Sequence, residues 1–307
     1  MPILPALMRR ALWAVAGLCM ALPLTGAAQE QLQQYSYLYP QQPNRDEGLP
    51  VSPFFEGWYD NGDGTVTFSF GYLNRNETTV VHIPHGENNL IERSDFQGVQ
   101  PTVFHPGRQR GVYAVTVPAD SRAEDIWWNL VDEARDEVHK VPGRGTVGAY
   151  ELDWNPRPHG SLPPLMWFDS QANAERGPPG VTAASALNAR VGEAVTLSVN
   201  VLDDSPRDPE DERFHETIPV RVAWSLFDGA PGTVSYERHE AHADSGDEGP
   251  AVVQLSEAEG EARVRVRFSQ PGSYLFRAQA DNFAGPDSSS NDQCCWSNAY
   301  QRVDVSR

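Results

Sequence analysis

The chain has 307 residues, with 24 Lys and Arg against 42 Asp and Glu, which gives a formal charge of −18 at pH 7. So acidic a chain repels nucleic acid and anionic membrane surfaces, and both are excluded as expected partners. Three cysteines in a chain of this length exclude a disulfide framework, so apolar cores must hold the fold.

The first element is a targeting segment. Arg9 and Arg10 precede an apolar run from Ala11 to Leu24, and the small residues Gly26, Ala27 and Ala28 follow. This pattern predicts a secretory signal peptide over 1–28, cleaved after Ala28. The run is shorter than the ~20 residues of a membrane span. A lipoprotein anchor at Cys19 is disfavoured because Leu18 stands where such signals want Gly, Ala or Ser, and "MRRALW" is a poor twin-arginine signal. Removing two arginines and no acid takes −18 to −20, and leaves Cys294 and Cys295 as the only thiols. No later segment reads as a membrane span. The expectation is an exported protein, periplasmic or secreted.

Residues 29–50 are rich in Gln and Pro and read as an N-terminal arm. From Phe54 the pattern becomes two-fold. In "TVTFSFGYL", Val66, Phe68, Phe70 and Tyr72 share one face, which predicts a half-buried strand, and the preceding "DNGDG" predicts a hairpin turn. Strands are also expected in "TTVVHI", in "GVYAVTV" with Tyr113, Val115 and Val117 in phase, and in "DIWWNLV". These make a first sandwich over 51–154. Residues 155–180 hold six prolines and read as a linker. Over 181–307, four segments alternate: "AVTLSVNV", "VRVAWSLF", "ARVRVRF" and "YLFRAQA". The fold class expected is all-β: two antiparallel β-sandwiches in tandem behind a signal peptide.

"PGSYLF" has the Gly-x-Tyr-x-apolar form that opens strand F of immunoglobulin-like domains. With Trp224 and the strand order, it makes region 181–307 resemble bacterial Ig-like domains of the disulfide-free kind. The resemblance implies that Tyr274 is the corner tyrosine, that Trp224 lies on strand C, and that Phe276 replaces the second cystine cysteine opposite Leu197 or Val199 on strand B. It implies adhesion, scaffolding or presentation and no particular chemistry. Residues 54–118, "FFEGWYDNGDGTVTFSFGYLNRN" to "GVYAVTVP", resemble a block in uncharacterised exported proteobacterial proteins, which implies no function.

In this threading the B–C and F–G loops share one end of the sandwich, and both are acidic. Asp203, Asp204, Asp208 and Asp211 in one, with Asp281 and Asp292 in or beside the other, are candidate oxygen ligands for Ca²⁺; the bland alternative is a solvated acidic loop. Adjacent Cα atoms lie ~3.8 Å apart, closer than a cystine usually allows, so a Cys294–Cys295 bond closes a strained ring. A vicinal disulfide stiffening the loop is the first reading; buried thiols, an intermolecular bridge and soft-metal binding stay open. Trp296 beside the pair is a packing or contact residue. Trp58, Tyr59, Trp127 and Trp128 are candidates for a sugar-stacking platform, against the alternative of half-core aromatics. His82 with His85, and His239 with His242, stand three apart, which on a strand sends them to opposite faces and argues against a zinc motif. No nucleophile elbow, phosphate loop or dinucleotide glycine pattern occurs.

The leading expectation is a non-enzymatic binding or scaffolding protein of the cell envelope, with an envelope protein or glycan as partner. A carbohydrate- or Ca²⁺-binding module is second, and a hydrolase with an unrecognised acidic site third. Threading also puts Cys294, Cys295 and Trp296 at the junction of the two sandwiches, with the acidic B–C loop facing Arg108, Arg110 or Arg144.

Overall fold

A computed structural model of the chain describes residues 48–133, 136–152, 161–208, 210, 218–246, 248–282 and 296–307. Among them the regular structure is nineteen strands and short 3₁₀ turns, so the all-β expectation holds. The signal segment, most of the arm, Asp211, Asp292, Cys294 and Cys295 lie outside the described residues.

The first sandwich runs through β1 (Val51–Asp60), β2 (Thr65–Asn74), β3 (Val81–His82), β4 (Asn89–Ile91), β5 (Val103–Phe104), β6 (Gly107–Pro118), β7 (Ile126–Asp132), β8 (Glu137–Gly143) and β9 (Glu151–Leu152). The DNGDG turn closes β1 onto β2 as its residues dictate. Gly62 and Gly64 take positive φ, and Asp60 and Asp63 accept from the Gly62 and Thr65 amides. A sheet of order β6-β2-β1-β9 faces the sheet β4-β7-β8 across a core that includes Phe68, Phe70, Tyr113 and Trp128. One expectation is corrected here: β2 is buried on both faces. Thr67 and Ser69, opposite Phe68 and Phe70, are buried too, and the Thr67 hydroxyl bonds that of Thr116 at 2.8 Å.

The second sandwich comprises β10 (Leu165–Trp167), β11 (Val181–Thr182), β12 (Leu187–Arg190), β13 (Ala194–Leu202), β14 (Val220–Asp228), β15 (Val234–Arg238), β16 (Val252–Leu255), β17 (Glu259–Phe268), β18 (Gly272–Asp281) and β19 (Trp296–Ser306). Its sheets have the orders β10-β13-β17-β15 and β11-β19-β18-β14-β16, with β12 continuing along β19. This is the immunoglobulin arrangement A-B-E-D against A′-G-F-C-C′, except that the chain visits the D position (β15) before the C′ position (β16). Tyr274 is the corner: its hydroxyl donates to the Gln270 carbonyl at 3.0 Å and lies 3.2 Å from the Thr233 hydroxyl. Trp224, Phe276, Leu197 and Val199 meet in one buried core, apolar packing where other Ig domains carry a cystine. Arg263, Arg265 and Arg267 on the outer face of β17 pair with Glu261, Glu240 and Glu237.

The linker expectation needs a boundary shift. Leu165–Trp167 pairs with Asn200–Leu202, and Met166 is fully buried, so the second sandwich takes its A strand from inside the Pro-rich segment. Three apolar residues suffice for an edge strand, and Pro163 and Pro164 just before it are tolerated where ladder donors are not needed. Both sandwiches belong to one compact unit, Asp46–Arg307.

Candidate functional site

The described feature with the most specific chemistry is the seam between the sandwiches, and it starts from a β-bulge. β6 pairs with β2 at Tyr113↔Phe70 and next at Gln109↔Tyr72, so 110–112 oppose a single residue, Gly71. The carbonyls that the bulge turns out are taken by side chains on the outward face of β18 and β19. Gln279 donates to Arg110 O at 3.0 Å, Asn298 to Gly111 O at 2.6 Å, and the Tyr300 hydroxyl to Val112 O at 2.9 Å. The Trp296 indole covers Gly111 so closely that a Cβ built there would stand 1.7 Å from Nε1, and Gly111 has φ +51°. Only glycine meets both conditions without strain.

A second row of contacts joins β14 to the segment leading into β6. Thr102 N–H donates to Phe227 O at 3.0 Å, its hydroxyl to Asp228 at 2.7 Å, and His105 Nε2–H to Leu226 O at 2.9 Å. Burial holds the His105 pKa below its ordinary value, consistent with a neutral ring donating to a carbonyl. Phe227 belongs to the first sandwich's core and Val103 to the second's, so the cores interlock.

Beside the seam, Glu56 occupies a bulge in β1, where the register jumps between Phe55 and Gly57. Its carboxylate is buried and pairs with Arg108 at 2.8 Å, while Arg108 also lies over the Phe54 ring at 4.1 Å. Desolvation outweighs the arginines and pushes the Glu56 pKa up to about 7. A Cβ on Gly71 would meet this carboxylate at 2.1 Å.

The loop ends do meet as the threading expects, since Asn282 donates to Asp203 at 3.2 Å. Their carboxylates are engaged with cations: Asp203 with Arg207 at 2.8 Å, Asp204 with Arg176 at 2.8 Å, and Asp281 with Arg221 at 3.2 Å. Asp208 accepts from the Glu210 amide. Among the described residues no group of three or more His, Cys, Asp or Glu gathers as a metal site. The expected facing of the B–C loop onto Arg108, Arg110 or Arg144 falls largely on residues outside the described ones, 209 and 211–217; Arg108 pairs with Glu56 and Arg144 with Asp125, both inside the first sandwich.

Of the alternatives for Trp296, packing or contact, the structure has packing, and Trp128 is corrected as a binding residue. Both are fully buried, Trp296 in the seam and Trp128 in the first core with its N–H on Asn89 Oδ1 at 3.0 Å. Alternation along β7 leaves Trp127 half-exposed, under the Lys140 ammonium at 4.9 Å. Trp58 and Tyr59 are buried as well. His85 bonds Gln100 O, and His242 accepts from the Arg263 amide, so those imidazoles serve the backbone.

The exposed aromatic surface lies elsewhere. Phe54 and Tyr150, 37% and 51% exposed, line a groove of about 440 Å³ with Phe55, Lys140 and Arg144. Of the seam residues, Trp296 was singled out in the sequence and its polar neighbours were not. Arg277, Gln279, Asn298 and Tyr300 alternate with core residues and read as a solvent face; the only signal was their long, hydrogen-bonding side chains.

No protein-family model matches the sequence, and no curated relative matches it at a significant level. Solved structures similar to the chain include the D00-D0 domain of intimin (11% identity, 84% of this chain and 100% of that one, TM-score 0.24). Domains 4 and 5 of the S-layer protein SbsC (11% identity, 84% and 98%, TM-score 0.24) are also similar. A protein of unknown function from Porphyromonas gingivalis W83 (8% identity, 83% and 99%, TM-score 0.24) is a third. Scores of this size do not establish a shared fold, and the immunoglobulin arrangement rests on the strand order above.

Proposed function

We propose that the chain is an exported, non-enzymatic binding or scaffolding module of the cell envelope, periplasmic or secreted, whose two sandwiches work as one body. The observation that supports this reading is the seam. The outward face of β18 and β19, open in a lone Ig sandwich, is spent on internal packing, so docking falls to the loops and to the first sandwich. Such a two-lobed body suits presentation of a surface better than catalysis between moving domains.

A carbohydrate-binding reading is favoured by the groove, where the Phe54 and Tyr150 rings offer faces for sugar C–H groups and Lys140 and Arg144 offer donors. A Ca²⁺ reading takes Asp203, Asp204, Asp208 and Asp281 as ligands, with Asp211 and Asp292 as sequence candidates outside the described residues, and the cation must displace arginines. The test is a melting screen of the full chain against envelope glycans and Ca²⁺, with the immobilised chain probed in parallel against envelope extract. A glycan shift lost in Tyr150→Ser assigns the groove, and a Ca²⁺ shift lost in Asp203→Asn assigns the loops. No shift and no retained envelope component would sink the binding reading.

A further inference from the structure

The seam holds a positive charge for which the described residues supply no counter-charge. Arg277 on β18 sits between Ser225 of β14 and Tyr300 of β19, on the face turned toward the first sandwich. It is 4% exposed, and its Nε and Nη1 have no hydrogen-bond acceptor. The groups coupled to its charge are the imidazole of His105, which it helps keep neutral, and the phenols of Tyr72 and Tyr300. Burial pushes both phenols up to about 12, so neither is a phenolate at neutral pH. Among the described residues no carboxylate acts on the charge of Arg277; Glu56 pairs with Arg108 instead. A buried, unpaired ion is one of the costliest arrangements a fold can hold.

The neighbouring hydrogen bonds narrow the chemistry. Tyr300 spends its hydrogen on Val112 O. The Tyr72 oxygen accepts from the His105 amide at 2.9 Å, and its own hydrogen has no acceptor among the described residues. Arg277 and Tyr72 therefore offer N–H and O–H donors, while the unpartnered acceptor of the seam, Asn298 Oδ1, stands one position along, opposite Gln279. Water must place two hydrogens of its own and needs acceptors to do so; an anion takes donors alone and also balances the charge.

We propose that the seam is a small-anion site. A halide or a monoanion of similar size sits on Nε and Nη1 of Arg277 beside the Tyr72 hydroxyl, and joins the two sandwiches through the only charge between them that has no partner among the described residues. The ligand is small because Arg277 is enclosed by both sheets. The site goes beyond the binding role proposed above and does not depend on it. Occupancy stabilises the folded chain by mass action, so anion concentration sets how firmly the sandwiches are held together.

The experiment melts the full chain in sodium chloride, in sodium bromide and in sodium gluconate at equal ionic strength, and collects anomalous diffraction from bromide-soaked crystals. The expected result is a saturable rise of several degrees in both halides over gluconate, with bromide density within hydrogen-bond distance of the Arg277 guanidinium. Arg277→Met, which fills the volume without the charge, is expected to melt equally in the three salts. Equal melting of the unsubstituted chain in halide and gluconate overturns the proposal, as does a soaked crystal with no bromide at Arg277. A halide shift that survives Arg277→Met overturns it too. If that variant does not fold, the two measurements on the unsubstituted chain decide alone.

Discussion

Among the described residues, half of the sixteen buried in the first core are aromatic, against four of twenty-two in the second, where Val, Leu and Ala dominate. The difference follows from the ladders. Long strands such as β13, β17 and β18 satisfy their own backbone groups, so small aliphatic residues at alternate positions are enough. In the first sandwich, β3, β4, β5 and β9 are two or three residues long, and much of the backbone between them has no ladder. Large rings span the wider gaps there, and buried amides satisfy the loops. Asn89 donates to Ile83 O and Pro101 O, and accepts from the Trp128 N–H. Asn74 does the same for Thr79 O and Phe104 O. An aliphatic core goes with regular ladders, and an aromatic core with polar knots.

The comparison can be broken from either side. Trp224→Ala removes the largest ring of the aliphatic core and should cost roughly 3–5 kcal/mol, read as a lowered denaturation midpoint. Asn89→Ala leaves two carbonyls and an indole N–H unpartnered. It is expected to cost about 3 kcal/mol, with hydrogen exchange accelerating first around Ile83 and Pro101. An Asn89→Ala cost below that of an ordinary surface substitution would show that the knots are incidental.

Glu56 gives the comparison a pH axis. Its folded pKa is raised, from 4.5 to about 7, so the folded state holds a proton that the unfolded chain releases. This contribution is complete below pH 4.5 and is lost as pH rises to 7, a fall of about 3 kcal/mol by the pKa difference. Glu56→Gln should flatten that part of the stability profile; an unchanged slope would assign it to other groups. Gly111→Ala tests the joint itself. The left-handed φ and the blocked space under Trp296 predict a loss of about 2–3 kcal/mol. Calorimetry should then show one transition becoming two as the sandwiches uncouple. The smallest effect is expected from Tyr274→Phe, which deletes the hydroxyl bonded to Gln270 O and should cost about 1 kcal/mol.

The second sandwich was the legible half. Its strands β13, β14, β17 and β18 fall where the alternation of Val195–Val201, Val220–Leu226, Ala262–Phe268 and Tyr274–Ala280 put them. Alternation is legible when one face is apolar and the other polar. The same rule misled where polar faces are buried, as on β2 with Thr67 and Ser69, and on β18 with Arg277 and the half-buried Gln279. "TTVVHI" promised a full strand, and only Val81–His82 is one. The tryptophans failed as surface markers because a large ring serves equally in a core, and nothing local says which side of β7 faces inward.

The sequence by itself determined the all-β class, the turn at Asp60–Gly64, the tyrosine corner and the apolar face of each long strand. These are local, set by a two-residue period, by glycines free to take positive φ and by one hydroxyl reaching back four residues. Only the tertiary structure decided that the outer face of β18 and β19 is an interior surface, that a bulge at 110–112 supplies its acceptors, and that Trp296 needs Gly111 beneath it. Burial of a polar residue depends on what lies across from it, and its partner here is about 170 residues away in the chain, a separation over which sequence periodicity carries no information.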